Sequence, residues 1–423
     1  MSQILVTPNL DATPGYKLDG VADEVQINGA IIEANQTGKE VIIDSPYIQL
    51  SNTGRINPKN NVTVRFKRDS YIDVNADIGL FCWSELHNFK MYGFPIFDTK
   101  YKADTTGIDL RDGIVDCHIE AQIINSAKWG FVLGVIDGVN TGVINERNHI
   151  DLITDGHTGL GEAVLLFNEK NNYVKAQIKN KFGGGHAVGL YQKNQGSEYI
   201  FKAEDLSSTL LYYSEDLADC TIDIDATNVV GIMAGANRSN NIYANPQKPN
   251  GFVVKNLKAT ASSTIGNGVS CASIGGIDNF ELQKGEIKGY PIGIIIGGGG
   301  TGTPSTSQFF DISNLKIENT KASAESHSPI LIQAIGGNYY GNIQNVSVVD
   351  TQPSPTTRSS VAISGNFARN HLRFTDCNLP GFQSRNSVFF ADGALPANLG
   401  GDFVFYKPRN FTPGALNPAN YQL

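Results

Sequence analysis

Gly107-Ile-Asp-Leu-Arg111 returns as Gly130-Phe-Val-Leu-Gly134, Ala163-Val-Leu-Leu-Phe167 and Ala187-Val-Gly-Leu-Tyr191. Further copies are Leu210-Leu-Tyr-Tyr-Ser214, Gly231-Ile-Met-Ala-Gly235, Gly268-Val-Ser-Cys-Ala272, Gly293-Ile-Ile-Ile-Gly297, Pro329-Ile-Leu-Ile-Gln333 and Ser360-Val-Ala-Ile-Ser364. A small or turn residue precedes a short apolar strand, and the pattern recurs about every 20 to 35 residues, the range in which self-similarity marks a solenoid. Second strands lie between these, among them Tyr173-Val-Lys-Ala-Gln-Ile178, Cys220-Thr-Ile-Asp-Ile224 and Asn345-Val-Ser-Val-Val349. Hairpin sheets would place like strands across two-residue turns, whereas here they recur only after a circuit, so they must stack in parallel. The pattern predicts one long all-β fold, a single-stranded right-handed parallel β-helix (solenoid), with neighbouring coils roughly 4.8 Å apart.

Outward from this core, residues 1–60 read as an N-terminal cap with first strands, 61–393 as the β-helix and 394–423 as a C-terminal extension rich in Pro, Asn and Gly. The cap holds a short helix over about 23–36: Asp23 is positioned to cap it, Gln26 to complete a capping box, and Val25, Ile27, Ala30, Ile31 and Ala34 to form its apolar stripe before Gly38. Asn148, Asn172, Asn241, Asn279, Asn314 and Asn345 precede strands and are expected to ladder at a corner, bonding backbone groups the turns leave open.

Composition agrees with many short strands: 45 Gly, 3 Met and 17 % charged residues in 423. A net charge of −8 without a basic run argues against nucleic acid. No segment has the apolar length of a spanning helix and the start has no signal-peptide pattern, so no membrane insertion and no signal peptide are expected. Five widely spaced cysteines read as buried free thiols made in a reducing cytoplasm, while the finished protein could act elsewhere, including outside the cell.

The segment Asp19-Gly-Val-Ala-Asp-Glu-Val-Gln-Ile-Asn28, followed by Val41-Ile-Ile-Asp44 and Asn61-Val-Thr-Val64, resembles the opening of pectate-lyase-like β-helices. Many bacteriophage tailspikes and polysaccharide depolymerases begin their β-helix in this way, although Asp23-Glu24 stands here for the more usual Asp-Asp pair. The resemblance implies a polysaccharide substrate and, for phage members, a homotrimer acting as a virion tail component. Its reach over reaction type is small, because the superfamily holds lyases, hydrolases, epimerases and noncatalytic adhesins.

Aligning the central coils places Trp129, Glu162 and His186 in one column ahead of the strands, and Arg111, Gly134, Phe167 and Tyr191 in an outward column. Tyr212 and Tyr213 follow, with register ambiguous by one residue. Exposed rings of this kind read as a ligand groove, a subunit contact or, if the alternation is misread, core. For hydrolysis two carboxyls are needed, about 5 to 5.5 Å apart for retention and about 6.5 to 9.5 Å for inversion, and Glu162 with Glu215 or Asp216 is the expected pair. For β-elimination, His186 with Tyr191 or Tyr213 would act as base and Arg111, Lys193 or a bound Ca²⁺ would neutralise a uronate. Trp129, Phe167, Tyr191, Tyr212, Tyr213, Arg111 and Lys193 are thus the expected substrate contacts, no metal site is expected, and no cofactor is required beyond possible Ca²⁺ in a lyase. His157, in Thr154-Asp-Gly-His-Thr-Gly159, reads as part of a surface turn. A noncatalytic receptor-binding tail protein and a cellular lyase or epimerase are the rival readings.

Overall fold

The computed structural model describes residues 3–9, 15–67, 69–83, 85–134, 143–213, 217–235, 251–261, 270–274, 279–297, 307–319, 328–335, 338–350, 359–366, 369–382, 386–390, 403–414, 416 and 421–422. The fold is a right-handed parallel β-helix. Residues 1–202 and 203–423 form two compact units.

In the first unit, strands Ile78–Cys82, Thr106–Leu110, Trp129–Leu133, Val164–Lys170 and Val188–Gln195 stack as one parallel wall. Their register aligns Leu80, Ile108, Phe131, Val164 and Val188 in one ladder and Cys82, Leu110, Leu133, Leu166 and Leu190 in the next but one. Apart from the half-buried Cys82, these side chains are fully buried, so both ladders point into the coil interior. A second sheet supplies Met91, Ile119, Ile150 and Val174 from the other side of the same interior. Between the two inward wall ladders lies an outward column running Phe81, Asp109, Val132, Leu165 and Gly189.

The helix spans Glu24–Thr37 and ends on left-handed Gly38. It packs against strands Gln3–Thr7, Gly15–Lys17 and Glu40–Ile43, three parallel neighbours with Gln3–Thr7 between the other two. Its capping differs from expectation. Asp23 makes no side-chain bond to the helix; its Oδ1 accepts from the backbone N–H groups of Asp19 and Gly20, and its Oδ2 from that of Gln49. The fully buried carboxylate therefore ties the entering turn to a strand, a use that competes with capping. Gln26 does not complete a box, and Val25 is 64 % exposed while Glu24 takes the buried position, bonding Ser51.

Asparagines do line corners. Asn148 accepts from Cys117 N–H at 2.9 Å, and Asn172 accepts from Asn148 N–H at 2.8 Å. In the second unit Asn345 Nδ2 donates to Asn314 Oδ1 at 2.9 Å, both residues being left-handed, a conformation Asn tolerates better than most. Asn279 instead stands at the start of strand Asn279–Leu282, and Asn241 lies outside the described residues. Of the cysteines, Cys117, Cys220, Cys271 and Cys377 are buried, Cys82 is half-buried, and all five are free thiols.

The second unit repeats the arrangement: Ala272, Ile294, Ile330, Val361 and Val388 align on successive strands. Among the described residues no helix is long and apolar enough to cross a membrane.

Candidate functional site

Trp129, Glu162 and His186 each stand two residues ahead of a registered wall position, Phe131, Val164 and Val188; Trp129 opens its strand, and Glu162 and His186 lie on the loops that precede theirs. Glycine lets the segments ahead of these strands crowd together. A Cβ on Gly159 would fall 1.6 Å from Ala127 O, and one on Gly185 would fall 2.1 Å from Leu160 O, with Gly185 also left-handed at φ +75°. Beneath the loops lies Lys181, with no exposed surface, whose Nζ donates to Gly184 O at 2.8 Å and Gly159 O at 3.3 Å. Burial pushes this ammonium down to about 8, against the pull of Glu162. His157 is also inside, 1 % exposed, its Nε2–H donating to Gly161 O at 2.7 Å. Burial and the neighbouring Lys181 drive it down to about 4. The expectation of a surface turn is corrected there: the loop folds its histidine inward because Gly161 offers a carbonyl and the glycines leave room.

On the outer face, Phe167, Val132 and Leu165 form a small hydrophobic cluster distinct from the interior ladders, with Trp129 and Tyr191 packed against it. The Phe167 and Tyr191 rings stack at 5.2 Å, and Phe167, expected as a substrate contact, is only 8 % exposed because Trp129 and Tyr191 pack against its cluster. The Tyr191 hydroxyl donates to Glu162 Oε1 at 2.6 Å, so the ring is both floor and hydrogen-bond donor. His186 is half-buried; burial holds it below its ordinary value, Glu162 pulls the other way and Lys181 adds to the lowering. The net direction favours the uncharged imidazole over the imidazolium. Lys128 Nζ sits 4.7 Å from the Trp129 ring.

Arg111 is fixed rather than mobile: its guanidinium bonds the buried Asp109 carboxylate at 3.2 Å and lies 4.7 Å over the Trp83 ring. Trp83, 66 % exposed, and Phe81 extend the aromatic wall by a coil, and sequence reasoning missed both. The signal was present in Ile78-Gly-Leu-Phe-Cys82, which carries the same small-plus-apolar pattern one coil earlier. Lys193 is exposed further along the strand of Tyr191, beyond left-handed Gln192.

Tyr212 and Tyr213 belong to the second unit. The one-residue ambiguity resolves with Tyr212 half-buried and Tyr213 only 1 % exposed, its ring edge-on to Phe252 at 5.3 Å. Tyr213 is thereby corrected from substrate contact to core residue, because the alternation of its strand turns it inward. Glu215 and Asp216 lie outside the described residues.

No protein-family model matches the chain, and no curated protein does. Two solved structures are similar in fold. The A-module of the Azotobacter vinelandii mannuronan C-5 epimerase AlgE6 aligns with TM-score 0.47 and 14 % identity over 89 % of this chain and 97 % of that one. The Agl-KA catalytic domain aligns with TM-score 0.42 and 13 % identity over 95 % of this chain and 64 % of that one.

Proposed function

We propose that this chain is a polysaccharide-cleaving enzyme whose glycan lies along the outer wall of the first unit. The observation that carries the reading is the 2.6 Å hydrogen bond from Tyr191 to Glu162, set on a floor of outward aromatic rings. Sugar rings present flat C–H faces that cover such rings, and the site offers proton-handling groups beside them. Glu162, in its protonated form, gives its proton to the leaving sugar oxygen as the glycosidic bond breaks, Tyr191 holds that carboxyl in place, and His186 takes the proton of the attacking water in hydrolysis or of the ring carbon beside the carboxylate in elimination. Trp83, Trp129 and Tyr191 support the chain, with the buried Phe167 ring packed against Tyr191, and Arg111, anchored by Asp109, faces it. The opening motif Asp19–Asn28 and the helix that follows support a tailspike-like depolymerase acting on bacterial surface or extracellular polysaccharide.

The test is incubation of the purified protein with bacterial capsular, extracellular and plant polysaccharides, following reducing ends together with the absorbance of unsaturated uronates. New reducing ends alone mean hydrolysis, and both signals mean elimination. If the protein binds a glycan in this panel and yields neither signal, the enzymatic reading fails and a noncatalytic adhesin takes its place.

A further inference from the structure

The second unit carries a groove that the wall site does not use. Strands Asn279–Leu282, Ser307–Ser313, Asn338–Gln344 and Arg369–Thr375 lie parallel and in register. One outward column runs Asn279, Phe309, Tyr340 and His371. Its rings stack face to face, Phe309 on Tyr340 at 4.8 Å and 12°, and Tyr340 on His371 at 4.9 Å and 8°. Phe309 is 46 % exposed, so the stack presents an apolar edge and face to solvent. The column two residues on runs Glu281, Asp311, Asn342 and Arg373, with Asn342 Nδ2 donating to Asp311 Oδ1 at 2.8 Å.

Where Phe309 meets Asp219, Asn279, Glu281 and Asp311 there is a concavity of about 260 Å³. Gly251 lines it where paired strands crowd: a Cβ there would fall 2.5 Å from Asn279 O. The lining combines an aromatic platform with three carboxylates and one amide, and among the described residues it contains no Lys or Arg. A hydrophobic protein surface would be matched by the rings but not by the carboxylates, and a uronate or a nucleic acid would be repelled by them. A sugar ring free of acidic groups satisfies both, with its C–H face on Phe309 and its hydroxyl or ammonium protons on the carboxylates.

We infer that this groove is a second, noncleaving binding site for a neutral or amino-sugar glycan. It shares with the proposed function only the class of ligand, and none of its residues. The test uses the full chain carrying Glu162→Gln, so that no cleavage intervenes, and measures binding to soluble neutral, amino-sugar and uronate polysaccharides by calorimetry and affinity electrophoresis. Phe309→Ala and Tyr340→Ala are expected to weaken binding of neutral and amino-sugar glycans at least tenfold. Glu281→Gln with Asp311→Asn is expected to weaken the amino-sugar glycan more than the neutral one, while uronate binding stays unchanged. Native-like circular dichroism of each variant excludes unfolding as the cause. Unchanged binding in Phe309→Ala/Tyr340→Ala overturns the inference, as does the absence of neutral and amino-sugar binding by the parent chain. If the same pair instead changes the sedimentation coefficient and leaves glycan binding intact, a second copy of the chain covers the groove and the inference is wrong. Cleavage tests remain independent: a chain that binds through Phe309 but cleaves nothing keeps this site and loses the wall mechanism.

Discussion

Tyr191 and Glu162, 29 residues apart, meet on adjacent coils of the first unit through a 2.6 Å hydrogen bond in which the phenol donates and the carboxylate accepts. The contact exists because Tyr191, on the wall strand Val188–Gln195, reaches the loop that precedes the neighbouring strand Val164–Lys170. Removing the phenol proton leaves the ring but not the bond. Tyr191→Phe is therefore expected to lower kcat roughly 10- to 100-fold with little change in KM, and Glu162→Gln to lower it about 100- to 10,000-fold, the range of general acid–base catalysis. Steady-state kinetics on whichever glycan is cleaved checks both. Unchanged kcat and KM in Tyr191→Phe would make the ring a platform only.

Trp83 and Arg111 form the far end of the wall, the guanidinium resting 4.7 Å over the indole. Trp83→Ala is expected to raise KM or Kd up to about tenfold, near 1.4 kcal/mol, with kcat preserved. A change confined to kcat would remove Trp83 from the binding surface.

Lys181 holds the two glycine loops from beneath through Gly159 O and Gly184 O. Lys181→Met is expected to release them, lowering kcat while fluorescence and circular dichroism of the wall aromatics stay native. The pH effect follows from its burial. With the folded-state value lowered to about 8 from the ordinary 10.5, the folded protein binds fewer protons than the unfolded chain between those pH values. Stability from this group therefore rises as pH climbs from about 8 to about 10.5, and Lys181→Met should flatten that limb in urea titrations.

Glu169 lies fully inside, taking hydrogen bonds from Tyr199 Oη at 2.6 Å and Asn172 Nδ2 at 3.1 Å. Burial raises it to about 7 from 4.5 despite both donors. The folded state thus holds its proton more tightly than the unfolded chain, and stability is fully present below about 4.5 and declines as pH rises to about 7, by up to roughly 3 kcal/mol. Glu169→Gln should remove that decline, so that the denaturation midpoints of the two proteins converge in acid and separate at neutral pH. Parallel midpoints across the range would show that Glu169 is charged in the fold.

Asn148 satisfies the buried Cys117 N–H and donates to Ile114 O. Asn148→Ala leaves both unmet and is expected to cost about 1 to 3 kcal/mol per stranded group, read as a lower thermal midpoint.

The sequence carried the coils plainly because parallel strands inside a solenoid need apolar residues at every inward position, and small residues before them where coils crowd. The same logic placed Trp129, Glu162 and His186 in one column without the fold in hand. It stalled at Leu210-Leu211, where two consecutive buried leucines break the period of two and leave Tyr212 and Tyr213 indistinguishable. Lys181 and His157 were illegible for another reason: their partners are backbone carbonyls on loops that approach only after a full circuit. A polar residue in a glycine-rich loop gives no sign of which way it turns. Phe309, Tyr340 and His371 were missed because the strands that carry them fall between the repeats marked by apolar cores, and outward residues carry no periodic signal of their own.

The helix laid over strands Gln3–Thr7, Gly15–Lys17 and Glu40–Ile43 has a meaning beyond packing. A stack of parallel strands is a template, each rung presenting unpaired amide and carbonyl groups to whatever strand arrives next. Left bare, such a rung would accept a rung from another molecule, and repetition of a head-to-tail contact without closure produces fibres. Ile27, Ala30, Ile31 and Ala34 spend their apolar surface on that rung, and a helix has no free edge to offer in return. The first fourteen-residue helix is a stopper against polymerisation.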